Sequence, residues 1–574
     1  MKNTAIAKVF SDIADLLELK GENQFKIRAY QKAVRAIEHY PKEIRIMVDE
    51  GEDLKSIPGV GDAIAKKTTE LVKTGKLEYY EKLKAEFPEG IINLLDIPGV
   101  GPKTANKLCS ELGITSVDSL EQAIKDGSVA KLFRLGEKTA NNILQQIEAS
   151  RRKDQRIPIG EALPTVEEIL SALNSVPGVR NLTYAGSLRR FRETLGDIDL
   201  MGTAENPQKV MDTFVSLPIV GQVLVQGPTK SSVIVSGGLQ VDLRMVEHEA
   251  FGSLLQYFTG SKQHNISLRE RGRRQGLKLS EYGITDITTD KLEKFADEEN
   301  FYRRLGLQYI PPELREAQGE IERAEQGTLP KLVELSDIKG DLHIHTDWSD
   351  GHNSIEEMAL AAKKLGYQYI AITDHSGGRG ITHGLDIERL RKQIEEIKKV
   401  NEHRDGIQVF SGIEVDIRAD GSLDLPHTIL AELDIVIAAV HSAMNQNEEK
   451  MTRRVLSAVD NPDVDIIAHP TCRLLPAREP VAIDLEAVLR TAAKNNKIME
   501  INAMPDRLDL NDVHASRARE LGVKLAIGTD AHDVSHLDFM RFGVGVARRA
   551  WCEPQHILNT LPLADILTLL NVSR

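Results

Sequence analysis

The chain has 574 residues, which is too long for a single hydrophobic core, so we expect several domains. It contains no apolar run of the ~20 residues that a membrane-spanning helix needs, and its first residues lack the apolar stretch of a signal peptide. Its three scattered cysteines are too few for a disulfide framework and fit a reducing compartment. We therefore expect a cytoplasmic protein without membrane partners and, since no segment signals oligomerisation, a monomer.

The net charge of −13 argues against a uniformly basic nucleic-acid binder, but the charge is unevenly distributed. Residues 1–160 carry 26 Lys and Arg against 24 Asp and Glu, and the acidic excess lies mostly in the C-terminal part. Residues 262–278 carry six basic side chains and one acidic. Such a run is also typical of a solvated helix face. The overall acidity therefore does not exclude a local DNA-binding groove.

The first predicted region is helical, with short glycine-rich breaks of which two are near-copies. SIPGVGDAIAKK occupies residues 56–67, DIPGVGPKTANK occupies 96–107, and a degenerate third copy, RLGEKTANNI, occupies 134–143. Glycines permit a tight turn, and the next helix offers its free N–H groups to a phosphate without reading base sequence. We interpret the repeats as helix-hairpin-helix DNA-binding motifs rather than plain helical packing. The expected DNA contacts are Gly59, Gly61, Gly99 and Gly101.

From residue 157 the pattern changes to short apolar strands separated by glycine turns. Asp197 and Asp199, in GDID, stand at i and i+2 on a predicted strand and face the same side. Asp242, in LQVDLRMV, lies on a later strand that we expect to pair beside the first. Three carboxylates on neighbouring strands suit two Mg²⁺ or Mn²⁺ ions that activate a hydroxyl and stabilise a leaving pyrophosphate. GDID alone would fit a hairpin turn equally well, but Gly186-Ser187 upstream and the third Asp favour the metal site.

The order G-S-x-R-R-x₅-G-D-x-D, which begins at Gly186, resembles the palm motif of the X family of DNA polymerases, typified by DNA polymerase beta. The resemblance implies that the three aspartates are the catalytic metal ligands, with Asp242 nearest the primer hydroxyl. It also implies that Ser187 and Arg190 contact the incoming dNTP, and Gly186 allows a close backbone approach to phosphate.

The segment YFTGSKQHNISLR, residues 257–269, is similar to the nucleotide-sensing stretch of the same family. The resemblance implies that Tyr257, Phe258 and Gly260 lie against the sugar. Asn265 and Arg269 would reach the minor-groove edge of the new base pair. Core packing is the alternative role for Tyr257 and Phe258.

The N-terminal helices resemble the small lyase domain of the X family. Lys67 falls where the family has its Schiff-base lysine, and Lys26 falls where a supporting lysine lies. Ala63 departs from the pattern, because the beta enzyme has another lysine there. An ordinary surface lysine is the alternative reading of Lys67.

After a charged, proline-started segment at 311–340, which we interpret as a linker, seven predicted strands alternate with helices. This βα pattern predicts a barrel-like parallel sheet, in which active sites form at the C-terminal ends of the strands. Mixed imidazole and carboxylate sites suit Zn²⁺, Mn²⁺ or Fe²⁺, and a cluster of such metals would hydrolyse phosphoesters. The side chains expected at this mouth are His343, His345, Asp350, His375, Glu414, His441, His469, Asp530 and His532.

This C-terminal half resembles the PHP (polymerase and histidinol phosphatase) family. The resemblance covers residues 341–574 and implies a distorted (β/α)₇ barrel with a trinuclear metal site, in which Glu414 is the bridging carboxylate. We expect His383 and Asp374 beside the ligands. Arg418, Arg473 and Arg507 either bind substrate phosphate or are ordinary surface arginines.

Both halves, in this order, resemble bacterial-type X-family polymerases along essentially the whole chain. The resemblance implies a multidomain protein with an α-helical helix-hairpin-helix region, an α+β nucleotidyltransferase palm with thumb, and a PHP barrel. The expected domains are a lyase-like helical domain with the first hairpin (1–88), a helical fingers-type region with the second (89–156), the palm (157–247), the thumb (248–310), the linker (311–340) and the PHP hydrolase (341–574).

We therefore expect a DNA polymerase that uses dNTPs to fill short gaps at gapped or nicked DNA in repair of the base-excision type. The PHP barrel would be a 3′-5′ exonuclease or would cut at abasic sites. One alternative is a small-molecule phosphatase with a catalytically inactive DNA-binding appendage, and another is a non-catalytic scaffold at DNA ends. The paired hairpins and the complete aspartate triad argue against the phosphatase, which needs neither. The retention of both complete ligand sets argues against the scaffold.

Overall fold

The computed structural model divides into two compact units, Met1–Arg156 and Ile157–Arg574. The part of the chain that the structure describes contains no helix that could span a membrane. The structure describes residues 3–572 apart from 39, 41–43, 58, 88–90, 96, 98–99, 132–135, 137–139, 141–142, 145–146, 148–155, 378–382 and 404–405.

The first unit is helical in its described part and surrounds one apolar core. In its first helix Ile6, Phe10, Ile13 and Leu17 are buried at helical spacing, so one face packs inwards. The helices are α1 (Asn3–Leu19), α2 (Gln24–Glu38), α3 (Ile44–Asp49), α4 (Asp62–Thr74), α5 (Glu78–Lys84), α6 (Ile91–Leu95), α7 (Pro102–Leu112) and α8 (Val117–Lys125).

Each Pro-Gly-Val-Gly segment leads directly into a helix, as predicted. Gly61 caps the N-terminus of α4 and Gly101 caps that of α7. Gly59 has a φ of 102°, a backbone conformation that favours glycine. Gly99 and most of the third copy lie outside the described residues.

The second unit opens with a five-stranded sheet of order β2-β4-β7-β6-β5, in which β4 and β7 run parallel. Strands β1 and β3 form a separate antiparallel pair. The strands are β1 (Ile157–Pro158), β2 (Val179–Tyr184), β3 (Thr194–Leu195), β4 (Ile198–Ala204), β5 (Val220–Gln226), β6 (Lys230–Val235) and β7 (Gln240–Met245). The accompanying helices are α9 (Ile159–Asn174), α10 (Gly186–Arg189) and α11 (Pro207–Val215).

Helices and a three-stranded antiparallel sheet follow the palm. They comprise α12 (Phe251–Thr259), α13 (Lys262–Arg274), β8 (Leu277–Ser280), β9 (Gly283–Asp286), β10 (Leu292–Glu293), α14 (Glu298–Arg304) and α15 (Glu320–Gln326). The segment expected as a linker differs from that expectation, because Leu314, Arg315 and Glu320 are buried and Leu332 joins the apolar cluster of this region. Its charged composition concealed an apolar face that packs.

The last part is a sheet of seven parallel strands in sequence order, as the βα pattern predicts. Bonds from His345 N–H to the Ala531 carbonyl and from Asp530 N–H to the His343 carbonyl join the first strand to the last. The strands are β11 (Gly340–Ile344), β12 (Tyr369–Ile372), β13 (Gln408–Asp416), β14 (Ile435–Ala439), β15 (Ile466–Ile467), β16 (Ile498–Asn502) and β17 (Leu525–Gly528). The helices are α16 (Ile355–Lys364), α17 (Ile387–His403), α18 (His427–Leu430), α19 (Glu448–Val459), α20 (Leu485–Lys494), α21 (Asp512–Glu520), α22 (Met540–Arg549) and α23 (Leu563–Val572).

One hydrophobic cluster runs through both the five-stranded sheet and the barrel. It contains Leu200 and Leu243 from the sheet together with Ile413 and Ile527 from the barrel. The two regions therefore share a continuous core within the second unit.

Candidate functional sites

The three palm aspartates are brought together by strand register. Asp199 on β4 lies directly opposite Asp242 on the parallel strand β7, and Asp197 precedes β4 by one residue. All three are half-buried. Burial and the nearby carboxylates of Asp197 and Asp242 raise the pKa of Asp199 to about 7. Three carboxylates that repel one another in this way fit a site for divalent cations, which would offset that repulsion.

The loop before β4 carries the residues expected to bind a triphosphate. Gly186 has a φ of 62°, and a Cβ there would lie 2.8 Å from Asp199 Oδ2, so a side chain would crowd the carboxylate. Ser187 follows in the short helix α10. Arg190 donates from Nη1 to the Thr259 carbonyl at 2.5 Å and from Nε to Glu316 Oε1 at 3.1 Å. The loop and the end of α12 are thus held together beside the triad.

The segment after α12 adjoins this loop. A Cβ at Gly260 would lie 3.4 Å from Arg190 Nη1, which shows how closely the two segments approach. Asn265 Nδ2 donates to the Tyr257 carbonyl at 2.7 Å, and Arg269 Nε donates to the Asn265 carbonyl at 3.2 Å. Phe258 packs against a small apolar cluster and lies under the Arg244 guanidinium at 4.5 Å, so it has a packing role whatever else it contacts.

In the first unit, the two predicted lyase lysines converge on one aromatic ring. The ammonium of Lys67 lies 4.6 Å from the centre of the Tyr79 ring, and that of Lys26 lies 5.7 Å from it. A pocket of about 620 Å³ opens beside them. Its lining is Asp62, Ala63, Lys66, Lys67, Glu70, Glu78, Tyr79 and Lys82.

All nine side chains expected at the barrel mouth converge there. Glu414 is central: its carboxylate lies 2.7 Å from His375 Nδ1, 3.1 Å from His441 Nε2 and 2.9 Å from His469 Nε2. His345 Nε2 lies 3.2 Å from His343 Nε2 and 3.1 Å from Asp530 Oδ1. Three sets within this cluster are close enough to share an ion: His345, Asp350, His375 and His532; His343, His345 and Asp530; His375, Glu414 and His441.

The cluster histidines differ in protonation. Against the effect of burial, neighbouring carboxylates raise the pKa of His343 well above its ordinary value and that of His532 to about 9. Burial, with His532 and His375 nearby, lowers the pKa of His345 to about 3, so its imidazole is neutral as a metal ligand must be. The Nδ1 atoms of His345 and His469 are buried without a hydrogen-bond partner among the described residues. His469 and Asp530 also have positive φ values, 26° and 53°, and such strain is concentrated at functional sites.

Comparison with known proteins separates the regions of the chain. Residues 1–77 match a helix-hairpin-helix domain, and residues 91–149 match a SAM-like helix-hairpin-helix tandem. Residues 254–316 match the DNA polymerase beta thumb, and residues 341–504 match the PHP domain. The DNA polymerase/3′-5′ exonuclease PolX of Bacillus subtilis (strain 168) is 41% identical over 568 residues, which cover 99% of each chain. The chain belongs to the PolX family.

Other relatives of this PolX chain match little more than a third of it. A probable phosphatase of a Thermoanaerobacter species is 35% identical over 38% of this chain and 89% of its own length. A probable phosphatase of Caldicellulosiruptor saccharolyticus is 34% identical over 36% of this chain and 85% of its own length. Neither of these proteins matches the full length of the PolX chain.

Sequence reasoning missed Glu500, which supports the candidate metal site of this PolX chain from the sixth strand. Its Oε1 lies 2.6 Å from His343 Nδ1, which leaves His343 Nε2 directed at the cluster, and its Oε2 accepts the His469 N–H at 2.8 Å. A Cβ at Gly528 would lie 2.3 Å from Glu500 Oε1, so the neighbouring strand needs glycine here. The available signal was E-I-N in β16, two polar side chains at i and i+2 in an apolar strand.

Several residues expected near the PolX barrel site have other contacts. Asp374 lies beside the ligands, as expected: it accepts hydrogen bonds from Thr346, Ser349 and Gln393, and so holds the loop before Asp350. Arg473 is buried, and its guanidinium binds the carbonyls of Arg507 and Leu508 and the Glu193 carboxylate, so the structure contradicts an open phosphate-binding role. Arg418 and His383 are exposed, and Arg418 donates to the Asp424 carbonyl. Arg507 alone reaches the cluster, with Nε 3.4 Å from Asp530.

Proposed function

We infer that this chain is a DNA-directed DNA polymerase whose PHP barrel is a 3′-5′ exonuclease. The observation that carries the inference is the PolX relationship across the whole chain, together with the parallel register that sets Asp199 opposite Asp242. A small-molecule phosphatase is less well supported, because the phosphatases cover only 38% and 36% of this chain. A phosphatase would need neither the hairpins nor the aspartate triad.

At the palm, we propose that Asp197, Asp199 and Asp242 hold two divalent cations, Mg²⁺ or Mn²⁺. When bound, these cations activate the primer 3′-hydroxyl and neutralise charge on the departing pyrophosphate. Asp242 lies nearest that hydroxyl in this proposal. The chain's own contribution is to hold the reacting groups in line, which can supply a large part of the rate enhancement.

The surrounding residues bind and orient the nucleotide. We propose that Ser187, Arg190 and the Gly186 backbone contact the triphosphate. Their contacts with the strands and with α12 fix them before the substrate arrives. The residues assigned to the sugar and the minor-groove edge of the new pair are Tyr257, Phe258, Gly260, Asn265 and Arg269.

In the barrel, we propose that the nine convergent side chains hold a cluster of three ions, with Glu414 between them. Bound there, Zn²⁺, Mn²⁺ or Fe²⁺ would activate water and neutralise the phosphodiester of a DNA 3′ end. The groups of potential ligands overlap at His345 and His375, which supports adjacent ions. Cleavage at abasic sites uses the same phosphoester chemistry and is a further expected substrate.

The substrate that we propose is gapped or nicked DNA in repair. Two hairpin motifs and a thumb support duplex binding through the DNA backbone.

The pocket beside Lys67 and Tyr79 supports a second candidate activity, the removal of a 5′ abasic sugar phosphate. We propose that Lys67 forms the Schiff base in this reaction and that Lys26 supports it. Borohydride trapping on an incised abasic duplex tests it: Lys67→Ala should lose the adduct and Lys66→Ala should keep it.

The test of the main inference uses a one-nucleotide-gapped duplex labelled at the primer 5′ end, with dNTPs and Mn²⁺. Asp199→Ala should abolish extension and leave shortening of the primer intact, whereas His343→Ala should do the reverse. Extension by Asp199→Ala at the wild-type rate would show that the palm assignment is wrong. If no protein extended the primer while a phosphomonoester was cleaved, the phosphatase alternative would replace it.

A further inference from the structure

The barrel helix α22 packs directly against the palm loop that carries Arg190. A Cβ at Gly545 would lie 2.1 Å from ring carbons of Phe191, so the helix backbone itself accommodates this ring. Phe191 has a φ of 56°, and its ring centre lies 6.1 Å from that of Phe542 on the same helix. The residue next to Arg190 is therefore fixed by the hydrolase half of the chain.

Arg549, at the end of α22, contacts the Arg190 loop with one side of its guanidinium. Its Nη1 donates to the Arg190 carbonyl at 2.7 Å and to Glu316 Oε1 at 3.0 Å. Its Nε and Nη2 donate to Asp512 Oδ2 at 2.9 and 2.6 Å. The Arg549 side chain is only 4% exposed, so these contacts are made away from solvent.

The same Glu316 oxygen also accepts from Arg190 Nε, which links the two arginines through one carboxylate. Burial alone would raise the pKa of Glu316, but Arg549 and Arg190 lower it below its ordinary value, so the group is ionised. A buried chain of alternating charges thus runs from Asp512 through Arg549 and Glu316 to Arg190. Removing one member of such a chain is costly, because its partner is left unpaired.

Arg190 is held at two points and remains able to bind a ligand. Nε is fixed by Glu316 and Nη1 by the Thr259 carbonyl, while Nη2 makes no hydrogen bond among the residues that the structure describes. Without Arg549, one Glu316 oxygen would lose its second cation and the Arg190 carbonyl would lose its donor. The guanidinium would then have to be ordered when the nucleotide binds, and that ordering costs affinity.

We propose that Arg549 is a positioning residue for DNA synthesis: it lies in the PHP barrel and holds Arg190 in place for the triphosphate. This inference rests on the proposed role of Arg190 in nucleotide binding. It makes the barrel a structural part of the nucleotide site as well as a second active site. Polymerisation would then depend on a residue of the hydrolase half that touches neither the barrel cluster nor the nucleotide.

The test is steady-state gap filling by the full chain, with dNTP concentration varied and exonuclease rate measured in parallel. Arg549→Gln should raise the dNTP KM by on the order of tenfold, the effect of losing one charged hydrogen bond, with a smaller change in kcat. Its exonuclease rate should match the wild type. Arg549→Lys should recover part of the affinity for dNTP, because one ammonium group can replace only some of the hydrogen bonds that the guanidinium donates.

Arg548→Gln is the matched control, since Arg548 is the neighbour on α22 and also bridges the barrel to the preceding segment. It donates to Glu313 at 2.7 Å and to the Val333 carbonyl at 3.0 Å, and it has no described contact with Arg190. This variant should keep the wild-type dNTP KM. Asp512→Asn provides a second variant that should raise the KM in the same direction if Arg549→Gln does not fold.

A double-mutant cycle tests whether Arg549 acts on Arg190 through Glu316. In a Glu316→Gln background, adding Arg549→Gln should change the KM less than it does in the wild type, because the shared carboxylate is already lost. An unchanged KM in Arg549→Gln, or equal losses of polymerase and exonuclease activity with a lowered Tm, would overturn the proposal. If Arg190→Gln itself leaves the KM unchanged, the assignment of Arg190 fails and the inference with it.

Discussion

At the scale of single residues, the barrel cluster depends on a carboxylate that is not among its nine convergent side chains. Glu500→Gln should weaken the hold on His343 Nδ1 and lower metal affinity by roughly 10–100-fold, the usual effect of losing such a partner. When exonuclease activity is titrated with Mn²⁺, the variant should reach half of its full activity at a higher Mn²⁺ concentration than the wild type. Excess Mn²⁺ should restore its exonuclease activity, and its polymerase activity should be unchanged.

Glu486→Gln is the control for that substitution, because Glu486 is a buried barrel carboxylate that pairs with Arg517 instead. The Glu486→Gln variant should show the wild-type Mn²⁺ midpoint for exonuclease activity. If Glu500→Gln showed the wild-type midpoint, Glu500 would not orient the cluster.

The sequence could predict the convergent residues at this scale because they share a simple rule of position. His375, His441 and His469 each follow a strand of a parallel barrel, and the ends of such strands meet at one mouth. Glu500 in β16 was not assigned, because a carboxylate between Met499 and Ile501 does not reveal that its partner is His343 on the first strand. Arg473 could not be assigned either, since its partner Glu193 is 280 residues away.

At the scale of elements, α14 is tied to the palm by a buried carboxylate. The Glu298 carboxylate accepts a hydrogen bond from Arg189 of α10 at 2.7 Å and another from Arg315 at 2.6 Å. Burial alone would raise its pKa, but the two arginines lower it from about 4.5 to about 2. A carboxyl group whose pKa is lower in the folded than in the unfolded state stabilises the fold fully when the pH is above its unfolded-state pKa. This contribution is lost as the pH falls towards the folded-state pKa.

Glu298→Gln should therefore destabilise the second unit by about 3 kcal/mol at pH 7, following the size of the pKa shift. The difference in urea midpoint between wild type and variant should shrink as pH falls from about 4.5 to about 2. Glu299→Gln is an exposed neighbour on the same helix and should leave the midpoint unchanged. A difference that stays constant over this range would contradict the ion-pair account.

Element positions were largely predictable from periodicity and glycine turns, and the strands of the barrel follow the predicted order. The packing of residues 311–340 was not predictable in this way. Charged residues surround Leu314, Ile321 and Leu332, so the local composition is that of a linker although these side chains are buried. Burial there depends on partners such as Trp551, which lie far along the chain.

At the scale of the whole molecule, the polymerase and hydrolase regions share a tight interface. Gly545→Ala should force the Phe191 ring to move and disturb the palm loop, because the added carbon has no room. We expect lower gap-filling activity in this variant, with activity partly regained in Phe191→Ala/Gly545→Ala. If Gly545→Ala polymerised normally with an unchanged Tm, the interface would be looser than described.

We infer that one chain contains two independent active sites on DNA, one that adds and one that removes nucleotides. The most direct measurement uses a gapped duplex with a mispaired primer 3′ end, which must be trimmed before it can be extended correctly. Asp199→Ala alone and His343→Ala alone should each fail to give the correctly filled product, whereas an equal mixture of the two should form it. If the mixture also failed, or if either variant lost both activities, two independent sites would be excluded.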